Sequence, residues 1–295
     1  MSMSPTSSAP GTLAFTFVSE LARELSEGKV ELPGFPQVFA QVCRSIDDPE
    51  ITAQRMAAIV GAEPGLAARL LAAANSAAFN PGHQPVGNLP GAIVRLGAAN
   101  VRSTTAAFAV AQLRLSSALQ PVERDLQELW ERSTHVAAIC YVVASASHLD
   151  PDEAFLAGLL HGIGELYVLA RLAQRADLLA GGGEVQAILD SWHAPIGKSL
   201  LENWCFPPHI VEAVEEQDDA ARRPHAQADV ADALVCAKAL QASAGDAQRI
   251  QALVATNRAF RQLKLDAPRC SAILVEAAGE ISALRSALGA PAHGQ

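Results

Sequence analysis

The chain has 295 residues, half of them hydrophobic, and its 22 Lys and Arg against 31 Asp and Glu give a formal net charge of −9. That is enough apolar material for one large domain or two smaller ones, and a composition dominated by Ala and Leu, with only 5% aromatic residues, favours helices. A nucleic-acid partner needs a basic stripe to neutralise phosphates; with an acidic balance and no Lys/Arg run, none is expected.

Residues 1–12 are rich in Ser, Pro and Gly with no basic stretch, so they read as a disordered tail rather than a signal peptide. From residue 13 on, helical periodicity dominates and no segment alternates as a strand. Phe17, Leu21 and Leu25 share one helix face, with Gly28 as a stop. After a rigid turn at 32–36, a helix is expected to run to Ile46. Thr52 can cap the next helix, which ends near Gly61, and Pro64 opens another that ends near Asn75. Asn75-Ser76 itself reads as a cap or turn. Beyond a loop marked by Pro81-Gly82 and Pro85, helices resume over 89–96 and 100–113. Pro121 breaks the pattern, and a long helix over 122–148 follows. Asp150-Pro151-Asp152-Glu153 opens the helix that carries His161, with acids well placed in its first turn. Gly181-Gly182-Gly183 reads as a flexible joint. Three helices are expected over 184–217, punctuated by Pro195 and Pro207-Pro208, then a loop at 222–225 and two or three Ala-rich helices over 229–288.

The expected division is a tail at 1–12, an N-terminal helical layer at 13–118, a second helical layer at 119–225 and a C-terminal helical extension at 226–295. The longest apolar stretches, 91–113 and 135–146, are interrupted by Arg95 and Arg102 or too short to span a bilayer, so no membrane insertion is expected. The five cysteines, Cys43, Cys140, Cys205, Cys236 and Cys270, are scattered without a C-x-x-C pair. Reduced thiols in a soluble cytoplasmic protein fit that pattern better than disulfides or a zinc site.

The run Leu159-Leu160-His161-Gly162-Ile163-Gly164 carries the functional question. A histidine followed by an aspartate at the end of an apolar helix can hold a divalent cation. Here Gly162 follows His161 and has no side chain to coordinate anything. Each neighbouring residue also has a structural reading. His161 fits a buried, hydrogen-bonded core histidine, and Arg132 can pair with Glu128 on its own helix. Glu165 fits a solvated acid, and 215–219 a solvated helix end. Gly162 and Gly164 can permit close packing or end the helix. No P-loop, G-x-G-x-x-G, G-x-S-x-G or H-E-x-x-H occurs.

Several long, ordered motifs carry a family resemblance. They are Leu32-Pro33-x-x-Pro36, Asp48-Pro49, and the stretch from Ile59-Val60-x-x-Glu63-Pro64 to Ala74-Asn75-Ser76-Ala77. Ala92-Ile93-Val94-x-Leu96-Gly97, Leu129-Trp130-x-x-Ser133, the segment from Ala154 to Gly164, and Trp204-x-x-Pro207 continue them. Over about residues 30–220 the chain resembles the HDOD family, the HD-related output domains of bacterial signalling. The resemblance implies an all-α, HD-domain-like helical bundle in two packed layers, related to metal-dependent phosphohydrolases. It also places Arg132 where a related chain would carry a histidine, and Gln217-Asp218 where many relatives carry paired histidines, with His193 near the same pocket. A guanidinium repels a metal rather than binding it. The candidate pocket is therefore Arg132, His161, Gly162, Glu165, His193, Gln217 and Asp218, expected to be a degenerate site without catalysis, metal or cofactor. The expected partners are signalling proteins. The alternative is a residual phosphohydrolase, or a pocket in which Arg132 still holds a nucleotide or phosphate without turnover.

Overall fold

The computed structural model describes residues 10–27, 37–46, 48–76, 79–80, 84–113, 117–175, 183–204, 206–219, 222 and 227–287. Those residues form helices joined by short turns and loops, with no strand among them. In chain order the α-helices are α1 (Pro10–Ser26), α2 (Gln37–Ile46), α3 (Ala53–Gly61), α4 (Pro64–Ala74), α5 (Leu89–Leu113), α6 (Glu123–Ala146) and α7 (Pro151–Leu160). They continue as α8 (Ile163–Leu172), α9 (Gly183–Asn203), α10 (Pro208–Glu215), α11 (Val230–Ser243), α12 (Ala247–Thr256), α13 (Arg258–Gln262) and α14 (Ala267–Ala287). The expected stop at Gly28, the turn at 32–36, the Pro81-Gly82 loop and Cys205 lie outside the described residues.

The helix ends follow local chemistry. Thr52 caps α3 by accepting from the Arg55 N–H, and Pro64 occupies the first turn of α4, where its missing N–H costs nothing. Asn75 does more than end α4. Its amide donates to the Leu71 and Val86 carbonyls and accepts from the Val86 N–H, which ties the 84–88 segment to the helix. Gly97, at φ 73°, breaks α5 where two helices were expected to meet. Asp150 caps α7 through the Asp152 and Glu153 N–H groups.

Four expectations are corrected. The tail expected to reach residue 12 is overtaken by α1, which begins at Pro10, an ordinary first-turn residue. The helix expected over 122–148 stops at Ala146, and His148 turns left-handed at φ 61°. Pro195 does not punctuate the chain. It lies inside α9, where buried Ile188, Ala194, Ile196 and Leu200 hold the helix together across the one hydrogen bond that proline removes. The C-terminal part holds four helices rather than two or three, because Asp246 and Asn257 start new ones.

Two hydrophobic clusters organise the packing. The smaller joins α2 to α5 around Val42, Val60, Leu66, Leu70, Ala92 and Phe108. The larger is built on α6, α7 and α8 and recruits the rest. The layers do not divide at 118/119 as cleanly as expected, since Phe17 and Leu21 of α1 and Phe39 and Cys43 of α2 enter the larger cluster. Glu24 of α1 also accepts from Tyr167 and pairs with Arg171 on α8. The C-terminal helices join the same body: α11 packs on α6, α7 and α10, and Val230 to Ala237 are buried. The stretch Pro151–Leu172 is long and apolar enough to cross a membrane, and 83% of its most apolar window is buried within the fold.

Candidate functional site

Four helices and two turns converge on one pocket of about 500 Å³. Asp125, Glu128 and Arg132 come from one face of α6, and His161 and Gly162 from the turn between α7 and α8. Glu165 and Leu169 follow on α8, and Gln186, Leu189, Asp190 and His193 on α9. Gln217 enters from the turn after α10 and Lys238 from α11. Asp125, Glu128, Gln186 and Asp190 are exposed at the mouth, while His161, Gly162 and Gln217 are buried at the floor. Six of the seven residues read from the sequence line this pocket; the seventh, Asp218, bonds to two that do.

The floor is a connected hydrogen-bond network. His161 is 3% exposed and its Nδ1–H donates to the Gly158 carbonyl at 2.7 Å, leaving Nε2 as a bare acceptor. Burial, reinforced by Lys238, lowers its pKa to about 3, so the ring is neutral. Gln217 is equally buried. Its amide nitrogen donates to the His161 and Val214 carbonyls, and its oxygen accepts from Lys238 Nζ at 2.8 Å. The same ammonium donates to Asp218, whose other oxygen accepts from His193 Nε2 at 2.8 Å. His193 Nδ1 lies 2.8 Å from the Leu189 carbonyl, so both ring nitrogens face oxygen acceptors and the ring is held as imidazolium. The Asp218 hydrogen bond accordingly raises its pKa, and His193 in turn holds Asp218 below the usual carboxylate range. Arg132 forms an ion pair with Glu165.

These residues do not fit a catalytic metal. A divalent ion needs several imidazole and carboxylate ligands converging on one point, and among the described residues no three His, Cys, Asp or Glu side chains do so. The carboxylate best placed to contribute, Asp218, already holds an ammonium and an imidazolium. Arg132 adds a second fixed positive charge to the wall. An aspartate at Gly162 would require Leu129 to shift, because its Cβ would lie 2.5 Å from Leu129 Cδ1 and 3.2 Å from Ser133 Oγ.

Several structural readings change. Glu128 pairs with Arg124, not Arg132, at 2.9 Å. Glu165 is not a free surface acid, since it carries the Arg132 pair. The acidic run at 215–219 is not a solvated helix end. Glu215 pairs with Lys198, Glu216 with the buried Arg222, and Gln217 and Asp218 belong to the site. Lys238 is the functional residue that the sequence reading missed. Its signal was present as the lone charge late in the otherwise apolar α11, between buried Ala237 and buried Leu240.

An all-helical, HD-like scaffold with this pocket at its centre defines the class. The HDOD domain model matches residues 32–220, and the chain belongs to that family. An uncharacterised protein of Treponema pallidum (strain Nichols) is 22% identical over 223 residues, 71% of this chain. The chain spans only 42% of the length of that relative. A Shewanella amazonensis SB2B structure whose name proposes a metal-dependent phosphohydrolase aligns at TM-score 0.64 and 24% identity, covering 88% of this chain and 99% of its own. An HDOD domain protein of Geobacter sulfurreducens with unknown function aligns at TM-score 0.57 and 21% identity, over 92% and 97% of the two chains. A Marinobacter aquaeolei VT8 structure whose name proposes signal transduction aligns at TM-score 0.58 and 18% identity, over 95% and 67%. At these identities the likeness is one of fold.

Proposed function

We propose that this chain is a non-catalytic regulatory module of bacterial signalling that works in the cytoplasm by binding a partner protein. The observation that carries the reading is Lys238. An ammonium donates to Gln217 and Asp218 inside the pocket where a phosphohydrolase would gather its metal. Water activation for attack on phosphorus needs a metal-bound hydroxide or a strong base, and His161, buried and depressed in pKa, is a poor base. The alternative of a phosphate pocket centred on Arg132 is opposed by Glu165, which already neutralises that guanidinium. Val94 on α5, Trp192 on α9 and Val275 on α14 are the exposed large hydrophobic side chains among the described residues, and they are the positions at which partner binding is tested.

The test combines chemistry and binding on the purified protein. Metal content and turnover of bis(nitrophenyl) phosphate with Mn²⁺, Fe²⁺ or Mg²⁺ are measured beside partner capture with wild type and with Val94→Glu, Trp192→Glu and Val275→Glu. The expected result is no stoichiometric metal, no turnover, and a reproducible partner lost in at least one surface variant. Stoichiometric metal and turnover that both disappear in His161→Ala would overturn the reading.

A further inference from the structure

The pocket is polar, yet its charges are unevenly spent. Each cation holds a carboxylate: Arg132 holds Glu165, and Lys238 and His193 share Asp218. At the mouth, Glu128 is held by Arg124. Asp125 and Asp190 have no ion-pair partner among the described residues; Asp190 accepts only from the neutral Gln186 amide. At the floor, His161 Nε2 takes no hydrogen bond from any described residue, although the side chain is 97% buried and lines the pocket. That atom is not among the fully buried unpaired ones, so the pocket reaches it. Here the atom has one unused capability, to accept a hydrogen bond.

We infer that the pocket binds a small organic cation, with a primary ammonium or guanidinium held by Asp125 and Asp190 at the mouth and an N–H or O–H on the same molecule donating to His161 Nε2. The volume, about 500 Å³, is ordinary for a small-molecule site. Leu169 and Leu189 supply apolar wall for the connecting carbons. An anion is the weaker candidate, because it would pass two unpaired carboxylates to reach cations that already hold Glu165 and Asp218. A bare divalent ion is weaker still, because the His161 lone pair lies beside Lys238. The inference goes beyond partner binding and does not depend on it: the protein could bind a partner without this ligand, or this ligand without that partner.

The experiment uses the whole chain, calorimetry and thermal melts, with agmatine and aminopentanol as probes and inorganic phosphate, AMP and Mn²⁺ as comparisons. At least one amine is expected to bind saturably and raise the melting temperature. The Asp125→Asn/Asp190→Asn double variant, which removes exposed and unpaired charges, should melt like wild type without ligand and bind the amine about tenfold more weakly or worse. In wild type the His161 Nε2 nitrogen resonance should move toward the hydrogen-bonded range as the amine saturates. Failure of both amines to bind at millimolar concentration, binding indifferent to the double variant, or preferential binding of phosphate, AMP or Mn²⁺ would each overturn the inference.

Discussion

His161 stays uncharged because of where its two nitrogens lie. One donates to Gly158, and protonating the other would place a further positive charge in a buried site beside Lys238 and Arg132. Its pKa, lowered from 6.5 to about 3, sets a pH dependence. Below 6.5 the unfolded chain binds a proton at this ring that the folded chain refuses. The stability His161 provides is therefore fully present above 6.5 and lost as pH falls toward 3, at about 1.4 kcal/mol per pH unit within that window. Denaturant melts across the window should show that slope in wild type and a clearly shallower one in His161→Leu. Equal slopes would mean that the ring is already solvated. The companion residues show what a sequence can carry. Arg132, Gln217 and His193 could be placed near the pocket because long motifs fix their register relative to His161. Lys238 could not, since its role depends on α11 packing against α7 and α10, a contact between residues distant in the chain.

Among the elements, the α7–α8 turn is positioned by glycines that let helices touch backbone to backbone. A Cβ on Gly158 would lie 2.6 Å from Ala137 Cα on α6, and one on Gly164 would overlap the His193 carbonyl on α9 and lie 2.7 Å from the Gly197 nitrogen. The second contact seats α8, which follows His161, directly on the α9 backbone at His193, so the same glycine also shapes the pocket. Gly164→Ala should cost about 3 kcal/mol or more, because backbone cannot step aside as a side-chain tip can. Gly279→Ala, on exposed α14 with nothing near its Cβ, should be neutral or stabilising by up to about 1 kcal/mol. Chemical denaturation of the two variants checks the contrast; equal effects would remove the close-approach argument. The sequence left Gly162 and Gly164 open between packing and helix termination, and the structure divides the roles. Gly162 is the N-cap of α8, and Gly164 is the packing residue. Helix starts such as Thr52, Asp150 and Pro64 were legible because they are local chemistry. The passage of α9 through Pro195 was not, because burial on either side of the proline decides it.

For the molecule as a whole, the family match ends at residue 220, but the folded unit does not. Val230, Leu234, Val235 and Leu240 of α11 are buried in the larger cluster with Ile139, Val143, Leu156 and Leu160 of α6 and α7. The buried Arg222 is the hinge pin of this arrangement. It bonds Glu216 after α10 and both Asp229 and Asp232 at the start of α11, and those two aspartates also form the capping box of that helix. Burying apolar surface at roughly 25 cal/mol per Å² is the main stabilising term in such a bundle, so removing α11 exposes one side of α6 and α7 together. It also removes Lys238 and leaves Asp218 and Gln217 without their shared donor. A chain ended at residue 225 should therefore lose its cooperative thermal transition, bind a hydrophobic dye such as ANS and retain mainly helical circular dichroism. A chain ended after α13, which keeps α11, should still unfold cooperatively at a lowered midpoint, because the described side chains of α14 cover α6 through Cys270, Ile273 and Ala277. If the chain ended at 225 melts cooperatively near the wild-type temperature, the C-terminal helices are an accessory layer, and the pocket must hold its geometry without Lys238.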